Sequence, residues 1–303
     1  MSAVNASAVR DERAPMRQTA AAEFRELARC ASLEVGIHDV RSLDDARSWL
    51  APNTRVFVSH LPKQSWEATI NAAQKVRRAG FDPVPHIPVR LLRDRAAAEE
   101  LIVQLRDEAQ INEALIISGD YAQPQGSFES VIDFMQTNLL ERHGLKRVCF
   151  AGHPEGHPGV ALDVVRQAEI DKLRYARDAG LESTLVTQFF FDAQPFLQWA
   201  ETIRSHTIPV RIAAGIAGPA SVGALFKFAM RCGVGRSINA LSGRTSAFGK
   251  LLGEHGPDEL VRDLADARLS GASNFDEIHL FSFGGFRRTY EWLGAAAGAH
   301  APT

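Results

Sequence analysis

Short apolar runs alternate with longer stretches in which apolar residues recur every third or fourth position, almost from end to end of the chain. The short runs fall at 32–35, 55–59, 82–87, 113–118, 147–152, 183–189, 209–214 and 277–282. They are rich in Val, Ile, Leu and Phe without a strict in–out alternation, the pattern of parallel strands buried on both faces. Between them, 64–79 carries Trp66, Ile70, Ala73 and Val76 on one helical stripe, and 97–110, 128–142, 160–179, 194–205 and 221–232 repeat that periodicity. Gly80, Gly144 and Gly180 each close one such helix just before the next strand, the place of a left-handed C-cap. Eight strand signals with intervening helices and no break in composition predict one α/β domain, a single (β/α)8 TIM barrel. The catalytic barrel is expected over 24–303. Residues 1–23, a mixture of Ala, Ser, Arg, Asp and Glu, read as a flexible lead-in, and 294–303 as a fraying end. The long connection 215–276 holds a second helix near 257–269.

A length of 303 residues suits one such barrel, and 45% hydrophobic with 23% charged residues is ordinary for a globular enzyme. A net charge of −2 argues against nucleic acid or an anionic membrane as the main partner. No apolar run reaches the roughly 18 residues that span a bilayer, and the first residues lack the apolar core of a secretory signal. Cys30, Cys149 and Cys232 are too few and too scattered for a disulfide framework or a metal knuckle, so a reduced, cytoplasmic setting is expected. The chain leaves room for a homo-oligomer without specifying one.

In a β/α barrel the reacting groups gather at the C-terminal ends of the strands. The polar residues at those ends are Glu34, Ser59, His86, Asp120, His153, Gln188 and Ser282, more than a core needs to satisfy itself. Glu34 sits between Leu33 and Val35; desolvation there raises a carboxyl pKa and suits a general acid, unless a salt bridge claims the group. Gln188 ends a strand in Thr187-Gln188-Phe189-Phe190-Phe191-Asp192, where an amide that donates and accepts in one plane meets aromatic walls, a fit for a flat heteroaromatic ring. Asp120 follows Ser118-Gly119, where an Asp is more often a turn cap than a reacting group. His153, Glu155 and His157 alternate, but Pro154, Gly156 and Pro158 prevent the extended strand that a metal set would need, so no metal is expected.

Taken in order, Ser32-Leu33-Glu34-Val35, Pro85-His86-Ile87, Ser118-Gly119-Asp120, His153-Pro154-Glu155-Gly156-His157-Pro158 and the Gln188 segment resemble the methylenetetrahydrofolate reductase family over roughly 32–293. The resemblance implies an oxidoreductase of one-carbon metabolism, on the route to methionine. It would interconvert 5,10-methylene-tetrahydrofolate and 5-methyl-tetrahydrofolate with FAD and NADH or NADPH. Carried over residue by residue, Glu34 is the acid, Asp120 stabilises the cationic intermediate, and Gln188 with Phe228 holds the pterin. Ser59, His86, Ser118, Gly119, Asp120, His153 and His157 fall at positions that line the cofactor. The chain departs from the family pattern where flavin phosphates are held. Ser118 replaces an Arg, Tyr175 and Ala176 replace basic residues before Asp178-Ala179-Gly180, and His153 replaces an aromatic. Two alternatives therefore stand beside the flavin route: direct hydride transfer from the nicotinamide, and a non-redox folate-binding or methyl-transfer barrel.

Overall fold

The computed structural model describes residues 13–61, 63–119, 121, 123–232, 254–271 and 275–299. Eight parallel strands close on themselves: β1 (Ser32–Val35), β2 (Arg55–Val58), β3 (Asp82–Pro88), β4 (Leu115–Ile117), β5 (Arg147–Gly152), β6 (Glu182–Thr187), β7 (Arg211–Ala217) and β8 (Glu277–Phe281). Each strand pairs with its neighbour in sequence, and β8 pairs with β1 to complete the barrel, Ser32 standing opposite His279. All eight expected runs form strands. The run at 113–118 shortens because Glu113 leaves the sheet for an ionic cluster beneath it.

The outer ring follows from capping and apolar stripes. Ser65 caps α3 (Trp66–Arg78), Asp94 caps α4 (Arg95–Ala109), and Asp192 caps α8 (Ala193–Ser205), each side chain accepting a first-turn amide. The single helix expected at 128–142 is two, α5 (Val131–Met135) and α6 (Leu139–Arg142). Thr137 Oγ1 turns back onto the Phe134 carbonyl at 2.6 Å and Asn138 takes a left-handed φ of 55°, which ends one helix before the next starts. Further on come α7 (Leu162–Asp178), α9 (Val222–Cys232) and α10 (Asp258–Leu269), with α11 (Phe286–Ala297) following β8. A short antiparallel pair, Ala220–Ser221 with Glu254–His255, lies within the long connection.

Both ends depart from expectation. Residues 13–23 belong to α1 (Arg13–Arg29), which lies against α10 and α11. There Glu23 pairs with Arg268 at 2.9 Å, Phe24 meets Trp292 edge-on, and Leu27 is fully buried. Gly294 does not fray; it sits in α11 against Trp49, where a Cβ would come within 2.8 Å of the Trp49 carbonyl oxygen. Among the described residues no helix is long and apolar enough to cross a membrane.

The barrel interior is layered. At the N-terminal ends of the strands, Arg55 pairs with Glu277 and lies 3.6 Å from Glu113, while Arg147 approaches Glu113 at 3.7 Å and Arg211 approaches Glu277 at 3.0 Å. Above this ring Phe57, Val84, Leu115, Cys149, Val186 and Ala213 fill the barrel. Burial, with Glu113 beside it, pushes the Cys149 thiol well above its ordinary value, so this cysteine is inert packing. The polar groups above that layer form the cavity described next.

Candidate active site

A cavity of about 300 Å³ opens at the C-terminal ends of the strands. Glu34 enters it from β1, Ser59 and His60 from the end of β2, His86 from β3, Gly119 from the end of β4, and Gln188 from the end of β6. Phe228 of α9 closes one side, stacked on Phe283 with ring centroids 4.2 Å apart. The Ser59 amide donates to the Val35 carbonyl and the Gln188 amide to the Gly152 carbonyl, so both residues prolong the sheet ladder and their side chains are fixed at the rim.

Glu34 is the best-connected group in this cavity. The Ser59 hydroxyl donates to Oε1 at 2.5 Å, and His279 Nε2 lies 4.0 Å from Oε2. His279 is buried, with Nδ1 2.9 Å from Ser32 Oγ and its ring edge-on to Phe57 and Phe281. Ser282 Oγ donates to the Glu34 carbonyl at 2.6 Å. Burial raises the Glu34 carboxyl pKa, but His279, His86 and the Ser59 hydrogen bond together outweigh it and hold the group below its ordinary value. The upward shift expected from the bare strand is thus corrected: the sequence shows the desolvation and hides the two imidazoles. His279 was not legible as a site residue, since a lone His in Ile278-His279-Leu280 looks like packing, and only barrel closure brings it to Glu34.

Three imidazoles, those of His60, His86 and His153, are held neutral. Burial pushes His60 down to about 4, with His86 contributing; it also lowers His86 against the pull of Glu34, and lowers His153 against Glu169. Each takes up a proton on unfolding once the pH is below the ordinary imidazole value of about 6.5. The unfolded state then binds more protons than the folded one, so stability is full above that pH and declines as pH falls toward 4. Urea unfolding at pH 7 and pH 5 tests this; the midpoint should drop at pH 5, and an unchanged midpoint contradicts it.

Other expected site residues lie elsewhere. Ser118 is half-buried off the cavity, its carbonyl accepting the Arg90 amide. His153 faces away, its amide donating to Glu169 at 2.7 Å and Nδ1 lying 3.3 Å from the same oxygen. Glu169 also accepts from Arg166 and from the Trp199 indole, a buried cluster that pins the His153–Pro154 turn. His157 is exposed. Asp120 lies outside the described residues.

The described lining of the cavity offers no cation to the diphosphate of FAD. Among the described residues no Lys or Arg lines it. Arg90 donates to the carbonyls of Tyr121 and Glu129, Arg166 to those of His153 and Pro154, and Lys172 to that of Ala151. Arg174 and Arg177 pair with Asp171 and Asp178 on the outer surface.

Residues 95–238 match the family model described as methylenetetrahydrofolate reductase. A curated 5,10-methylenetetrahydrofolate reductase from Pectobacterium carotovorum subsp. carotovorum is 29% identical over 154 residues, covering 50% of this chain and 49% of that protein. Over about half its length the chain is similar to the methylenetetrahydrofolate reductase family. The match spans about half the length of that relative. Gly119, Gln188 and Phe228 fall inside the stretch matched by the family model, whereas Glu34, Ser59, His86 and His279 fall outside it. Among solved structures, dihydropteroate synthase from Thermus thermophilus overlaps with a TM-score of 0.49 at 13% identity, covering 89% of this chain and 94% of that one. The same enzyme in complex with 6HMPPP overlaps at 0.46 and 12% identity, covering 88% and 91%.

Proposed function

We propose that this chain reduces 5,10-methylene-tetrahydrofolate to 5-methyl-tetrahydrofolate, with NADH or NADPH as the hydride source. The observation that carries this reading is the grouping of Glu34 with Ser59 and His279 on one side of a cavity walled elsewhere by Gln188 and Phe228. The Gln188 amide can pair with the donor–acceptor edge of a pterin while the Phe228 ring, backed by Phe283, lies against its face. Protonation of the bridging nitrogen breaks its bond to the methylene carbon and leaves an iminium. A hydride delivered to that carbon completes the methyl group. One proton and one hydride are consumed, and the dinucleotide leaves oxidised.

Glu34 is the proposed proton donor. Its carboxyl is ionised at neutral pH in the open cavity, because its neighbours hold its pKa low. Burial is the largest influence on this group, and a substrate that covers the mouth increases it, driving the carboxyl toward its protonated form. His279, fixed by Ser32, is a positioning residue that keeps Oε2 turned toward it. Asp120 is assigned from sequence as the carboxylate that steadies the iminium.

Ser118, Tyr175 and Ala176, standing where the resemblance places basic residues on the flavin phosphates, favour direct transfer from the nicotinamide over relay through FAD. Anaerobic mixing of the purified protein with NADH or NADPH, with and without methylene-tetrahydrofolate, tests both points. The expected result is a colourless protein that oxidises a dinucleotide only when the folate is present. A bound flavin spectrum bleached by the dinucleotide reinstates the FAD route. If neither dinucleotide is oxidised, the reductase reading gives way to a folate-binding barrel.

A further inference from the structure

His60 closes β2 beside Ser59, yet its imidazole serves nothing described so far. The residue is 8% exposed, its ring lines the cavity and stacks on the Trp66 indole at 4.0 Å, and its Nε2 is buried without a hydrogen-bond partner among the described residues. The bonds around it fix which nitrogen carries the proton. The Leu61 amide donates to Gln64 Oε1, which orients the Gln64 side chain, and Gln64 Nε2 donates to Thr69 Oγ1 at 2.7 Å. Thr69 Oγ1 lies 2.8 Å from His60 Nδ1, which is the acceptor that the described residues leave for the hydroxyl proton, Gln64 Nε2 being a donor. Nδ1 is therefore the acceptor, and Nε2 carries a hydrogen with nowhere to go. Proteins seldom keep a buried donor unpaired unless a ligand completes it.

The chemistry of that ligand follows from its surroundings. Burial keeps the ring uncharged at neutral pH, and no Lys or Arg among the described residues lines the cavity, so the acceptor is a neutral oxygen rather than an anion. An amide-type carbonyl on a flat heterocycle is the match. In the closed strand order β2 stands four places from β6, so His60 and Gln188 occupy opposite walls. If Gln188 and Phe228 take the pterin, as the reductase reading on which this inference rests requires, the opposite wall is left for the hydride donor. Its ring carries one exocyclic carbonyl, next to the carbon that gives up hydride. We propose that His60 Nε2 holds the carboxamide oxygen of the nicotinamide ring, setting which edge of that ring faces the folate.

The test compares wild type with His60→Phe, which retains an aromatic ring on Trp66 and removes the donor, and with Thr69→Val, which removes the proton that fixes the tautomer. Binding of NADH and, separately, of 5-methyl-tetrahydrofolate is measured by titration calorimetry, with thermal unfolding to confirm the fold. Loss of one well-formed hydrogen bond corresponds to roughly a tenfold rise in Kd. The expected result is such a rise for NADH in His60→Phe, a smaller one in Thr69→Val, and methyl-folate binding within about twofold of wild type. Should His60→Phe fail to fold, Thr69→Val alone carries the comparison. Unchanged NADH binding overturns the proposal, and so does weakened methyl-folate binding with NADH unaffected, since the carbonyl would then be the pterin's lactam. A wild-type protein that binds neither compound overturns the reductase reading itself, and this assignment with it.

Discussion

Glu34→Gln should slow methylene-tetrahydrofolate reduction by roughly 10²–10⁴-fold, the range that a positioned general acid supplies. Glutamine has nearly the same shape, so Ser59 can still donate to its carbonyl oxygen and the cavity keeps its form. What it lacks is a transferable proton. NADH binding should be unchanged, because Glu34 is proposed to act on the folate alone. Steady-state kinetics together with dinucleotide titration separate these effects. A variant that retains the wild-type rate would remove Glu34 from the mechanism. One that loses NADH binding as well would place Glu34 in the dinucleotide site.

The second large effect is on stability. Glu277→Ala removes the partner of Arg55 at the base of the barrel and leaves the guanidinium, 17% exposed, with only the more distant Glu113. It also strands Arg211. Breaking one member of a buried ionic group costs about 3–5 kcal/mol, because the remaining charge has lost its compensation. Urea unfolding should show that loss, whereas replacing Arg55 and Glu277 together with apolar residues should recover much of it. A loss below about 1 kcal/mol for Glu277→Ala would show that water already screens the cluster. Since the ring lies at the opposite end of the barrel from the cavity, catalysis in the surviving folded fraction should be untouched.

The barrel was legible because its strands are buried on both faces and read as plain apolar runs, separated by helices whose stripes point one way. The break at Asn138 was not, since it depends on a threonine turning back to its own backbone. Nor was α1: Ala-rich and Arg-rich, it shows an apolar face only through Phe24 and Leu27, and it becomes a structural element by docking on α10 and α11. Within the cavity, Glu34, Ser59, His86, Gly119, Gln188 and Phe228 could be named from strand-end positions and motif order. His60 and His279 could not. Each looks like packing in its own segment, and their interest lies in what the closed barrel sets beside them. His153 shows the converse: a promising motif residue whose polar needs are met by Glu169 behind the strand.

The acid–imidazole pair straddles the seam of the barrel, for Ser32 and Glu34 belong to the first strand and His279 to the last. Its halves are contributed by parts of the chain more than two hundred residues apart, and they meet only when β8 slots between β7 and β1. A nascent chain lacking β8 would have no closed barrel, and Glu34 would stand open to water without His279 beside it. During synthesis, competence would therefore arrive in a single late event, after 277–281 has cleared the ribosome, so the onset of turnover would serve as a clock for completion of the fold.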